Sequence, residues 1–221
     1  RFADYDYVCK VDDDAFPLTP DWFERLCEQY DQQFALHGDN LGYVSAMVNN
    51  NPFGFKHLIE RVPELAEEYF TEVAIEHVAG WGFGDGRPSD NYPSWRIAPP
   101  TEIDDDVCGT IWRYPHIGRW IHEKTTLHPD EYVDLVKDWG IDEVGPKRYS
   151  INVMLFAKPF WDAIADPSSE FPEDDEFLSE QYCKKHGTKV IVDLSIPFVH
   201  LFFYTQREDN RDLMPRLQAA Y

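Results

Sequence analysis

The chain has 221 residues, of which 41 are Asp or Glu and 20 are Lys or Arg, giving a net charge of −21. That balance repels phosphate backbones and anionic lipid headgroups, which disfavours general nucleic-acid and membrane-surface binding unless a local patch or a metal offsets it, and requires a cation beside any phosphate-bearing ligand. With 43% hydrophobic and 15% aromatic residues, the sequence is that of a folded globule and not of a disordered acidic tail.

No apolar run approaches the roughly 18 residues of a membrane span, and no secretory signal opens the chain. Cys9, Cys27, Cys108 and Cys183 lie far apart without zinc-site spacing and read as free thiols of a reducing compartment. The expected location is cytoplasmic, with a membrane-peripheral one as the alternative.

In chain order, Tyr5-Asp6-Tyr7-Val8-Cys9-Lys10-Val11 reads as a buried strand that delivers Asp12, Asp13 and Asp14 at its C-terminal end. Carboxylate oxygens converging there suit Mg²⁺ or Mn²⁺ holding a phosphate. The plainer reading is a solvated turn, and Asp104-Asp105-Asp106, taken as surface or helix-start charge, shows that such triplets recur in this sequence. Placement directly after a strand favours the cation site. The strand looks internal to a sheet although only Arg1 to Asp4 precede it, so an upstream segment or another chain is expected to complete the sheet.

Thr19-Pro20-Asp21-Trp22 predicts a helix N-cap with proline at the first helical position, opening a helix to about Tyr30. Leu41 to Val48 reads as a second buried strand, stopped by Asn49-Asn50-Asn51-Pro52, so the opening is β-α-β. Residues 52–148 turn irregular, with short helical pieces at Val62 to Tyr69 and Pro129 to Trp139, and read as an insertion within a single domain, 1–221. The rings of Trp81, Phe83, Trp95, Trp112, Tyr114 and Trp120 either fill the core of that insertion or form a sugar-stacking acceptor groove, because flat ring faces pack on apolar pyranose faces.

Ser150 to Ala157 reads as a third buried strand, followed by a short helix over Lys158 to Ile164. Glu173-Asp174-Asp175-Glu176 opens a helix over Phe177 to His186 that Gly187 closes, and strands follow at Lys189 to Asp193 and Pro197 to Phe203. Carboxylates at a helix N-terminus complement its dipole, but four exceed what capping needs. Asp175, if it faces a cleft, has the chemistry of a general base. His200 ends an apolar run; it is either a hydrogen-bonded core histidine or, as a neutral imidazole, a ligand that suits Mn²⁺ beside carboxylates.

In this order the elements resemble the GT-A class of nucleotide-sugar glycosyltransferases, with the family 2 enzymes and the fringe-like β-1,3-glycosyltransferases as the closest flavours. Lys10-Val11-Asp12-Asp13-Asp14-Ala15-Phe16 is similar to their DxD motif. Asp174-Asp175-Glu176-Phe177-Leu178 resembles their Glu-Asp-x-x-Leu motif, with Asp174 where Glu is usual, and the apolar strand with Asn152 and the strand ending in His200 fall in the matching order. The resemblance covers about residues 4–50 and 148–204.

The resemblance implies an α/β, Rossmann-like fold with a mixed central sheet and a large irregular insertion. It implies Mn²⁺ or Mg²⁺ held by Asp14, Asp12 and His200, with Asp12 or Asp13 touching the ribose or sugar of a nucleotide-sugar donor. Asp175, or Asp174 in its place, would deprotonate a glycan, lipid-linked or protein hydroxyl acceptor, with inversion at the anomeric carbon. Trp81, Trp95 and Trp112 are the acceptor-side candidates. The family begins with a βαβα unit that cradles the base, and here the chain starts just before the metal motif. The alternatives are a retaining transferase on the same scaffold and a non-catalytic calcium- or sugar-binding module.

Overall fold

The computed structural model describes residues 6–73, 111, 115–144, 152–164, 183–201 and 212–220. The fold is mixed α/β, gathered into two compact units: Arg1–Val48 with Asp130–His200, and Asn49–Pro129 with Leu201–Tyr221. The region read as an insertion over 52–148 is thus divided, its last part belonging with the first unit.

The first unit is built on a six-stranded sheet. Strands β1 (Tyr7–Val11), β2 (Ala15–Pro17), β3 (Leu41–Val48), β4 (Ile141–Glu143), β5 (Val153–Ala157) and β6 (Lys189–His200) run in the spatial order β1-β5-β3-β6-β2, with β4 also on β6. β5 is antiparallel to both β1 and β3, and β3 is parallel to β6, so β1, β3 and β6 all point the same way. Their C-terminal ends and the start of β5 share one edge. In open α/β sheets that edge is where ligands bind.

β3 is buried at every position, which is why its sequence is a continuous apolar run and not an alternation. Its Ser45 hydroxyl is absorbed by donating to the Val153 carbonyl at 2.7 Å. Gly42 is required by close packing: a Cβ there would sit 3.1 Å from Cys183 Sγ, the Lys189 carbonyl and Thr188 Oγ1. β1, expected to be internal, pairs among the described residues only with β5.

Where two final strands were expected, β6 is one strand with a bulge. Ala46 of β3 faces Asp193, but the next residue, Met47, faces Pro197, so Leu194, Ser195 and Ile196 are extruded. The bulge is held by side chains: Asp193 Oδ1 accepts from the Ser195 amide at 2.9 Å and its hydroxyl at 2.6 Å, and Arg25 Nη2 donates to the Ser195 carbonyl at 3.0 Å. Pro197 lies just past this break, and its carbonyl accepts from the Leu18 amide at 3.0 Å.

That last bond also corrects the expected helix start. The chain is tied to β6 as far as Leu18, so helix α1 runs Trp22–His37 with Asp21 as N-cap, and Pro20 lies before it. It continues past Tyr30 because Leu26, Tyr30 and Gln33 stay on the buried face, and it ends at Gly38, whose φ of 55° is left-handed. Helix α5 (Pro129–Val136) falls within the piece expected at Pro129 to Trp139, and α6 (Lys158–Ile164) has the expected bounds. Of the helix expected at Phe177 to His186, the described part is α7 (Cys183–His186), closed by Gly187 at φ 67°.

In the second unit, Asn51 caps α2 (Pro52–Arg61) by accepting from the Phe53 amide at 3.0 Å, with Pro52 in the first turn. α3 (Pro63–Glu68) runs into a π-helical turn (Tyr69–Val73), and α4 (Pro115–Lys124) follows. Phe55, Tyr69 and Trp120 interlock with ring centroids 5.3 to 6.5 Å apart. Trp120, which the sequence left as either a core or a groove ring, is a core ring, its Nε1 donating to Glu68 Oε1 at 2.8 Å. The Asn49–Asn51 run is more than a strand stop. Asn49 Nδ2 donates to Thr125 Oγ1 and Thr126 Oγ1 at 2.8 and 2.9 Å, and Asn50 Nδ2 lies 3.1 Å from His122 Nε2, all of them buried.

Candidate functional site

The acidic triplet is the link between β1 and β2, strands at opposite ends of the sheet order. Four strand spacings across a flat sheet would be roughly 19 Å, beyond the roughly 14 Å that the four Cα steps from Val11 to Ala15 can span. Yet the Ala15 amide donates to the Asp12 carbonyl at 3.2 Å, closing a tight turn. The end of β1 and the start of β2 are therefore close together although their strands stand at the two ends of the sheet order, and Asp12-Asp13-Asp14 is the strap between them.

Register then places the side chains. Ala15 of β2 faces His200 of β6, and Phe16 faces Val199. The residue before Ala15 is thereby set against the end of β6, and Asp14 Oδ1 lies 3.3 Å from His200 Nε2. The imidazole is 6% exposed and the carboxylate 40%, so a buried base meets a group open to solvent. Residues near the two ends of the sequence thus meet across one pair of neighbouring strands.

Asp12 is held differently. Its amide donates to the Asn152 carbonyl at 2.9 Å, Asn152 Nδ2 donates to its Oδ2 at 3.0 Å, and Lys10 Nζ donates to its Oδ1 at 2.5 Å. Lys10 and Asp12 are two apart on or beside a strand, hence on the same face. Asp13 is exposed. On β1 burial, with a smaller contribution from Cys27, pushes the Cys9 thiol up to about 12, which leaves it protonated at neutral pH.

Among the described residues, no group of three or more His, Cys, Asp or Glu side chains is assembled as a ready metal site. Tested against the donor chemistry of a divalent ion, Asp14 and His200 fit as a carboxylate and imidazole pair. Asp12 fits as a third ligand only if Lys10 gives up its place. Of the remaining candidates, Asp174, Asp175, Trp81, Trp95 and Trp112 lie outside the described residues, as do Asp104 to Asp106. Sequence reasoning missed the Lys10 contact, although the period of two along a strand was enough to put Lys10 and Asp12 together.

Comparison with family models, with curated proteins and with solved structures finds no match for this chain. No described helix is long and apolar enough to cross a membrane.

Proposed function

We propose that the chain is a metal-dependent glycosyltransferase of GT-A type, moving a sugar from a nucleotide-diphosphate donor to a hydroxyl acceptor with inversion. The observation that supports this reading most is the approach of Asp14 to His200 at the ligand-binding edge of the sheet, on neighbouring strands but far apart along the chain. The parallel run of β1, β3 and β6 with β5 inserted between β1 and β3 is consistent with it.

In this reading Asp14 and His200, with Asp12 once Lys10 gives up its place, would hold Mn²⁺ or Mg²⁺, which when bound would offset the charge of a diphosphate leaving group. Asp12 and Asp13 orient the donor's sugar or ribose. Asp175, with Asp174 as the alternative, takes the proton from the acceptor hydroxyl as its oxygen bonds to the anomeric carbon and the carbon–phosphate-oxygen bond breaks. The electron pair of that bond leaves on the diphosphate. Trp81, Trp95 and Trp112 stay the candidates for acceptor stacking. An imidazole beside Asp14 favours this over an all-oxygen calcium module.

The test is donor hydrolysis and transfer over a panel of nucleotide sugars, with Mn²⁺ and after EDTA, in the wild type, Asp14→Ala and His200→Ala. Loss of at least about a hundred-fold in turnover is expected for each variant, the scale for removing a group that stabilises developing charge. Activity that survives both EDTA and Asp14→Ala would refute the metal role.

A further inference from the structure

We infer that Lys10 is a phosphate-binding residue held in reserve: it neutralises Asp12 while the donor is absent and transfers its ammonium to the donor's diphosphate when a divalent ion takes its place. The inference rests on the proposed metal-dependent reading and adds a residue to it.

Three observations carry it. Lys10 Nζ is 2.5 Å from Asp12 Oδ1, so the ammonium occupies the oxygen that a third metal ligand would need. The side chain of Lys10 is 27% exposed and that of Asp12 25%, so both groups reach water and the pair can exchange partners without leaving a buried charge behind. Asn152 keeps Asp12 in place through the other oxygen at 3.0 Å and through the main chain at 2.9 Å, so the carboxylate stays oriented when Lys10 departs.

Charge gives the direction. Asp12, Asp13 and Asp14 carry three formal negative charges, and a divalent ion alone leaves the strap negative toward an anionic donor. The ion together with Lys10 brings the strap to neutrality. In a protein of net charge −21, that one charge decides whether a diphosphate is repelled or held at this edge. A four-carbon stem rooted on β1, two residues before Asp12, lets the ammonium swing from the carboxylate to a phosphate oxygen with its backbone fixed in the β1–β5 ladder.

The experiment uses the full chain as wild type, Lys10→Gln and Lys10→Arg, each first checked for a native circular dichroism spectrum. Mn²⁺ binding is read from the loss of the free-ion EPR signal, and inorganic pyrophosphate binding at saturating Mn²⁺ by titration calorimetry. Lys10→Gln is expected to bind Mn²⁺ as tightly as the wild type or more tightly, yet to bind pyrophosphate about ten-fold more weakly or worse, the scale of one charge-assisted hydrogen bond. Lys10→Arg, which keeps the charge, is expected to recover most of that loss. If the wild type binds Mn²⁺ and pyrophosphate and Lys10→Gln binds both equally well, the role of Lys10 is overturned while the metal site stands. If Lys10→Gln weakens Mn²⁺ and pyrophosphate in parallel, Lys10 only shapes the strap and the inference falls. If the wild type binds no Mn²⁺, the metal-dependent reading itself falls and the inference with it. Should Lys10→Gln fail to fold, the pyrophosphate affinity of Lys10→Arg decides: a drop as large as the whole expected effect would overturn the claim that charge at this position is what matters.

Discussion

Asn152→Asp is the sharpest probe of how the strap is held, because it turns a hydrogen-bond donor into a second carboxylate facing Asp12 Oδ2 at 3.0 Å. Asn152 is buried, so water screens little at that side. Two unit charges at that separation repel by about 5 kcal/mol at an effective dielectric of 20. The pair has a cheaper escape, which is to keep one proton: holding a carboxyl of ordinary pKa near 3.9 protonated costs about 4 kcal/mol at pH 7 and about 1.5 kcal/mol at pH 5. Proton uptake therefore sets the penalty, and the retained proton restores a hydrogen bond between the two carboxyls. The sign follows from linkage. The folded pKa of the pair is raised above its unfolded value, so the folded state binds more protons, and the destabilisation is small at acid pH and grows by about 1.4 kcal/mol for each unit of rising pH until the repulsion limit is met. The assay is urea unfolding followed by circular dichroism at pH 5, 6 and 7 for the variant and the wild type. A deficit of equal size at pH 5 and pH 7 would refute the reasoning, because it would mean that the introduced group does not face Asp12 as a charge.

Two further outcomes follow from the packing. Asn49→Ala removes the shared donor of Thr125 and Thr126 and the acceptor of the Asn50 amide at 2.6 Å, all buried; a loss of about 3 kcal/mol in urea unfolding is expected, and a loss below about 1 kcal/mol would contradict the network. Burial pushes the Cys9 thiol up to about 12, so at pH 8 its alkylation, followed by peptide mapping, should be about a thousand-fold slower in the native protein than in urea, and comparable rates would show Cys9 to be open.

The parts of the fold legible in the sequence are those dictated by local pattern. Leu41 to Val48 is apolar but for Ser45 because every position of β3 is buried, and Lys158–Ile164 is bounded as expected because it starts where β5 ends at Ala157. What escaped is set by contacts distant in sequence. The break at Asp193 to Pro197 read as a gap between strands because a three-residue bulge and a loop have the same composition; besides the local Asp193 carboxylate, Arg25 and Gly140, far along the chain, hold it within one strand. The length of α1 escaped because Asp31 and Gln32 are polar, while the burial of Gln33 depends on what packs beneath it. Asn49 and Asn50 were legible only as turn formers, since their partners Thr125, Thr126 and His122 lie in a segment with no pattern linking it to them. For the site, the spacing placed the triplet and His200 at strand ends, and the pairing of Ala15 with His200 is the fact that no spacing contains.

Three consecutive carboxylates on one turn repel one another, and the separate surroundings of the three offset that repulsion. Because the strap runs between opposite flanks, its residues meet different partners: Asp12 meets Lys10 and Asn152, Asp13 meets water, and Asp14 meets the buried imidazole at the end of β6. Each charge is thus handled by a different means, an ammonium with an amide, solvent, and a titratable ring. A solvated acidic turn would have no reason to bring a 6%-exposed histidine and a 3%-exposed asparagine to its two ends. Nor would it depend on register, whereas here a slip of one residue between β2 and β6 would turn Asp14 to the other face and separate it from His200. Buried Ala15, in the core cluster with Phe198, resists that slip, so the position of Asp14 is fixed by hydrophobic burial one residue away and not by the attraction between the charges themselves. That is the arrangement expected of a site that must hold its geometry when its ligand is absent.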